Sequence, residues 1–113
     1  MTDYERNREL LTDALESYRS LTKGSYVHAF IDRLMEVSRS SAGTNQTEKQ
    51  YHNLIVLQYI TDTHLSVHRI CATLHIGRQR ENYQAVTANA IDRLMILAFG
   101  VDGIDWEYRS EEA

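Results

Sequence analysis

At 113 residues, with 42% apolar side chains and a formal net charge of −4, the chain is sized for one folded domain and is short for two. That composition excludes a disordered chain, and the acidic balance argues against indiscriminate nucleic-acid binding. No run approaches the roughly 18 apolar residues of a membrane span, and a single cysteine, Cys71, excludes an internal disulfide framework and fits a reducing cytoplasm.

Residues 1–5 lack the basic and apolar regions of a secretion signal. With no proline and five glycines, breakers are scarce and the chain favours long helices over a many-turned sheet. A first helix is expected over residues 3–20, where Thr2 and Glu5 have capping-box spacing. Leu11, Ala14, Leu15, Tyr18 and Leu21 form its apolar stripe. Lys23-Gly24 is a stop and Ser25 the next N-cap. The second helix is expected to run to about residue 38, with Val27, Phe30, Ile31, Leu34 and Met35 inward.

The small polar stretch 39–46 is expected to be a linker, separating an N-terminal helical hairpin (1–38) from a second unit (47–101). Thr47 and Gln50 repeat the capping-box spacing and open a helix to about residue 60. A connection at 61–64 leads to a short helix, 67–74, capped by Ser66 and burying Ile70 and Leu74. After His75-Ile76-Gly77 a long helix is expected from Arg78 to residue 99, ended by Gly100 and Gly103 and followed by an acidic tail, 102–113. Ile-Asp-Arg-Leu-Met occurs at 31–35 and again at 91–95. Without similarity around it, this echo is no structural repeat and is either coincidence or a shared packing solution. The fold class expected is therefore all-α, with about five helices.

Charge is unevenly spread. Residues 1–36 carry seven acids against five bases, and 102–113 carry five acids against Arg109 alone. Between 63 and 80 stand Arg69, Arg78, Arg80 and three histidines, with no acid. This basic island falls on the short helix, the turn and the start of the long helix, an order that describes a helix-turn-helix. Arg78, Gln79, Arg80, Asn82 and Gln84 fall in the first turns of the recognition helix, with Thr87 one turn on. Arginine can pair with guanine and asparagine or glutamine with adenine, and a helix N-terminus favours phosphate.

The stretch Glu-Lys-Gln-Tyr-His-Asn-Leu-Ile-Val-Leu-Gln-Tyr-Ile (48–60), then 65–78 and Asn89-Ala90-Ile91-Asp92-Arg93-Leu94, resembles region four of sigma factors. More narrowly, with Tyr83, Ala90-Ile91, Leu94 and the closing 97–101, it is similar to the ArpU and RinA group of phage late-gene transcriptional regulators. The resemblance covers 47–101 and rests on hydrophobic spacing. It implies a sequence-specific, phage-derived DNA-binding regulator whose partners are double-stranded DNA and RNA polymerase. Arg78 and Arg80 would lead the base or phosphate contacts. Gln79, Asn82, Gln84 and Thr87 would support them, with His68 and Arg69 on the backbone. The hairpin would serve packing or dimerisation, and Trp106 and Tyr108 would fold back on the core or meet a partner.

A second reading stays open: a small acidic helical protein-interaction module that does not bind DNA. His64, His68, Cys71 and His75 would share one face of a continuous helix and are good zinc ligand types, but Ser66 starts the helix after His64, so no metal and no cofactor are expected. No nucleophile elbow or glycine-rich phosphate loop is present, and no enzyme is expected.

Overall fold

The first helix begins where its capping box stands. The structure, a computed structural model, describes residues 2–77 and 80–99, with the side chain of Arg80 outside the description. Helix α1 spans Asp3–Ser17: the Thr2 hydroxyl accepts from the Glu5 amide, and the Glu5 carboxylate accepts from the Thr2 amide. The helix tightens into a 3-10 turn, Tyr18–Ser20. Gly24 then reverses the chain at φ 86°, a conformation that glycine adopts at no steric cost. Ser25 caps α2, which spans Tyr26–Ala42.

Three expectations are corrected at this point. The linker expected at 39–46 is mostly helix, because nothing in 39–42 breaks one. Ser38 and Ala42 are buried one turn apart, and α2 ends only at Gly43, φ 53°. The next cap is Asn45 rather than Thr47: its side-chain oxygen accepts from the Glu48 amide at 3.0 Å, and asparagine ranks above threonine as a cap. Val27, expected inward, is 40% exposed.

Helix α3 spans Gln46–Ile55 and widens into a π turn, Val56–Ile60. The Thr61 amide closes that turn onto the Val56 carbonyl at 3.0 Å, and Tyr59 within it is buried. Helix α4 spans Val67–Leu74 and α5 spans Arg80–Phe99. Five α-helices, and no strand, make up the described residues, and no described helix is long and apolar enough to cross a membrane.

One core is shared by all five helices. Leu15 of α1, Ile31 of α2, Leu54 and Ile55 of α3, Ile70 of α4 and Leu94 of α5 belong to it and are essentially fully buried. Each such side chain is worth about 1.5–3 kcal/mol against exposure. The N-terminal hairpin is therefore half of the same core rather than a unit set apart by a linker.

The Ile-Asp-Arg-Leu-Met echo is a shared packing solution. Ile31 and Ile91, and Leu34 and Leu94, are buried in both copies, and each aspartate meets a tyrosine of the N-terminal segment. Tyr4 donates to Asp92 at 2.6 Å, and Tyr18 donates to Asp32. Asp92 also takes Arg8 Nε at 3.2 Å. Burial and the hydrogen bond to Asp32 push the Tyr18 phenol up to about 12.

Candidate nucleic-acid interface

The helix-turn-helix segment is built by local signals. Ser66 Oγ accepts from the Arg69 amide at 3.2 Å and starts α4. Ile70 and Cys71 turn inward. The helix stops at His75, which takes the left-handed conformation at φ 58°, ψ 37°. The amides of both His75 and Ile76 reach back to the Cys71 carbonyl. Such a stop usually carries glycine or asparagine, so histidine here is an unusual choice. Gln50 of α3 donates to the Leu74 carbonyl at 3.1 Å, filling an acceptor that the helix end leaves open.

Ile76 is buried and anchors the turn. A Cβ at Gly77 would lie 2.6 Å from Asn82 Nδ2, so the Asn82 side chain rests against the bare glycine and would have to swing aside for any other residue there. Tyr83 locks α5 to the preceding helices: its hydroxyl donates to Gln58 Oε1 in the π turn, and burial raises its pKa.

His68 and Arg69 are exposed on α4, as are His64 before it and His75 after it. Asn82 and Gln84 are exposed on the first turns of α5. Arg78 and Gln79 lie outside the described residues, as does the side chain of Arg80. Thr87 is corrected: its hydroxyl is buried, because position 87 stands one turn from Tyr83 on the stripe that continues to Ala90, Ile91 and Leu94. It cannot reach a nucleic acid. Cys71 is buried, and among the described residues no group of three or more His, Cys, Asp or Glu could hold a metal ion.

A polar cluster that sequence reasoning missed lies where α2, α3 and α5 meet. Arg93 donates through Nη1 to Ser38 Oγ at 2.7 Å and through Nη2 to the Ser38 carbonyl at 2.8 Å. Its Nε faces Glu48 Oε1 at 3.2 Å. Ser38 Oγ is also 2.8 Å from His52 Nδ1. A guanidinium can only donate, so the serine oxygen accepts from Arg93 and offers its own proton to His52. The imidazole is then a neutral acceptor, in keeping with its lowered pKa, caused first by burial and then by Arg93 and Arg39. The Ser38, Glu48, His52 and Arg93 positions carry no local pattern that links them. Only packing brings them together, and their role is to hold three helices in register.

Comparison with protein-family models, with curated proteins and with solved structures finds no match.

Proposed function

We propose that the chain is a sequence-specific DNA-binding transcriptional regulator that sets the first turns of α5 against the major groove while α4 braces the phosphate backbone. The observation that supports this most is that His64, His68, Arg69 and His75, in a stretch (63–80) without an acid, are all exposed, as are the amide side chains of Asn82 and Gln84 that follow it. Phosphate contacts from Arg69 and from imidazole N–H donors position a reader, and amides at the helix start can read adenine. The resemblance of 47–101 to phage late-gene regulators adds RNA polymerase as a partner, and the single cysteine fits a reducing cytoplasm as the setting. A single helix-turn-helix offers few contacts, so a second copy of the chain would complete the operator contacts. No catalysis belongs to this reading.

The test is selection from a random duplex pool, followed by affinity measurement over a range of salt. A regulator of this kind enriches one sequence class, with an affinity that falls linearly in log–log form with salt. Failure to retain any duplex at low salt overturns the proposal.

A second reading, a protein-interaction module, is favoured by one observation. Arg93, the second arginine of α5, is committed to Ser38 and Glu48, and the outward positions Glu81, Asn82, Gln84, Ala85, Asn89 and Ile96 carry no cation. On this reading duplex DNA is not retained, and α5 presents a polar face ending in the 67% exposed Ile96.

A further inference from the structure

Away from the helix-turn-helix, α1, α2 and the end of α5 enclose an open cleft of about 320 Å³. Leu10 and Ala14 form one wall, Tyr26 and Val27 the other, and Phe30 packs against Phe99 at a ring separation of 6.5 Å at its α5 side. Among the described residues of the lining, only Asn7 and the Tyr26 hydroxyl are polar, and none is charged. Leu10 is 59% and Tyr26 71% exposed, although scattered surface apolar residues normally stand singly rather than around a shared hollow. The cleft therefore suits an apolar side chain and rejects a charged one.

We propose that residues 104–108 of the same chain occupy this cleft, with Trp106 as the anchor. Three observations converge on that occupant. Phe99, where α5 ends, is itself part of the lining, so the following segment starts at the rim. Trp106 is seven residues on, and a chain can span roughly 3.3–3.6 Å per residue, so every part of the cleft is within reach. The order Ile104-Asp105-Trp106-Glu107-Tyr108 alternates apolar and acidic residues. An extended segment with that alternation turns three apolar side chains to one side and both carboxylates to the other, so the cleft is filled without burying a charge.

Being tethered, the segment has an effective concentration in the millimolar range for a short flexible link. It thereby outcompetes a second copy of the chain or a free apolar peptide. Docking closes the apolar side of the N-terminal half and holds the acids of 102–112 on that side.

Trp106 is the only tryptophan, so its fluorescence reports the docking directly. The full-length chain is compared with a free peptide of residues 100–113 and with Leu10→Asp and Val27→Asp. Both substitutions are at exposed positions, and circular dichroism checks that each variant stays folded. The expected result is a blue-shifted emission and several-fold weaker acrylamide quenching in the wild type than in the peptide, with both variants moving toward the peptide. Three results overturn the proposal. One is wild-type emission equal to the peptide's, and another is a blue shift that neither variant alters. The third is a blue shift that appears only as concentration rises and a dimer forms, which would put the segment on a second copy.

Discussion

Arg93 and Ser38, 55 residues apart in the chain, are joined at two points: the guanidinium donates to both the side-chain and main-chain oxygens of Ser38, at 2.7 and 2.8 Å. Ser38 is fully buried, and the Arg93 side chain is 10% exposed. The fork geometry of arginine makes such a two-point grip, and the Glu48 carboxylate on Nε balances the charge.

Arg93→Ala should therefore lower stability by about 1–3 kcal/mol, the usual cost of leaving buried acceptors such as the Ser38 oxygens without a donor, since the Glu48 side chain, 38% exposed, stays solvated. Arg93→Lys should recover only part of it, since a point-charge ammonium cannot bridge both oxygens. Arg33→Ala, at the matching position of the echo, is exposed and should stay within about 0.5 kcal/mol of wild type. Urea denaturation of the three variants provides the measurement. Equal losses at 33 and 93 would contradict the assignment.

His52 makes the same cluster sensitive to acid. Its pKa is lowered in the folded chain, so between that value and the ordinary histidine value of about 6.5 the unfolded chain binds more protons. Stability is then fully present above the unfolded value and declines as the pH falls through the folded one. His52→Gln should flatten the dependence of stability on pH below 6.5. An unchanged slope would mean that another group titrates. At the alkaline end Tyr18 acts with opposite sign. Its phenol is raised to about 12, so its contribution is lost as the pH climbs from the ordinary tyrosine value toward that point.

His75 holds a left-handed backbone conformation that disfavours a side chain by roughly 1–2 kcal/mol. His75→Gly should raise the melting temperature, the relief outweighing glycine's greater freedom in the unfolded chain. His75→Val, β-branched at the same φ, should lower it. The opposite order in thermal melts would show that the imidazole makes contacts outweighing the backbone cost.

For the DNA reading, alanine at Arg69, Arg78 or Arg80 should weaken binding to the selected duplex without lowering the melting temperature. A lost phosphate contact reduces the salt slope by about 1, whereas a lost base contact costs about 1–3 kcal/mol and relaxes specificity at one position. Thr87→Val should leave DNA affinity unchanged, because the hydroxyl is buried. Wild-type affinity in all three arginine variants would move the contact surface elsewhere.

Much of the fold was legible because its signals are local. Thr2 with Glu5, Gly24 with Ser25, and Ser66 all act within one helical turn, and the structure keeps each of them. Residues 39–46 have no legible state of their own, because small polar residues are neutral toward structure. A buried Ser38 and Ala42 decide their state, and burial depends on partners far along the chain. Asn45 and Thr47 both offer a side-chain oxygen at plausible spacing, and only the folded chain shows Asn45 to be the cap. Within the candidate interface, the exposure of His68, Arg69, Asn82 and Gln84 followed from helical periodicity. Thr87 differs because a hydroxyl does not mark its side of a helix, and position 87 falls on the buried stripe of Tyr83, Ala90, Ile91 and Leu94. The grip of Arg93 on Ser38 had no sequence signature, since nothing local distinguishes Arg93 from Arg33.

The two tyrosines of the N-terminal segment have a mechanical consequence. Tyr4 fastens one end to α5 through Asp92, and Tyr18 fastens the other to α2 through Asp32, roughly 20 Å apart along a helical rise of 1.5 Å per residue. Each contact is solvent-accessible and contributes little by itself. Together they act as a vernier: sliding α1 by even one residue would break both at once, and no shifted position offers a second matching pair. The segment thus sets the spacing between α2 and α5 as a gauge block does, and a partner that needed those helices to part would have to lift α1 away whole.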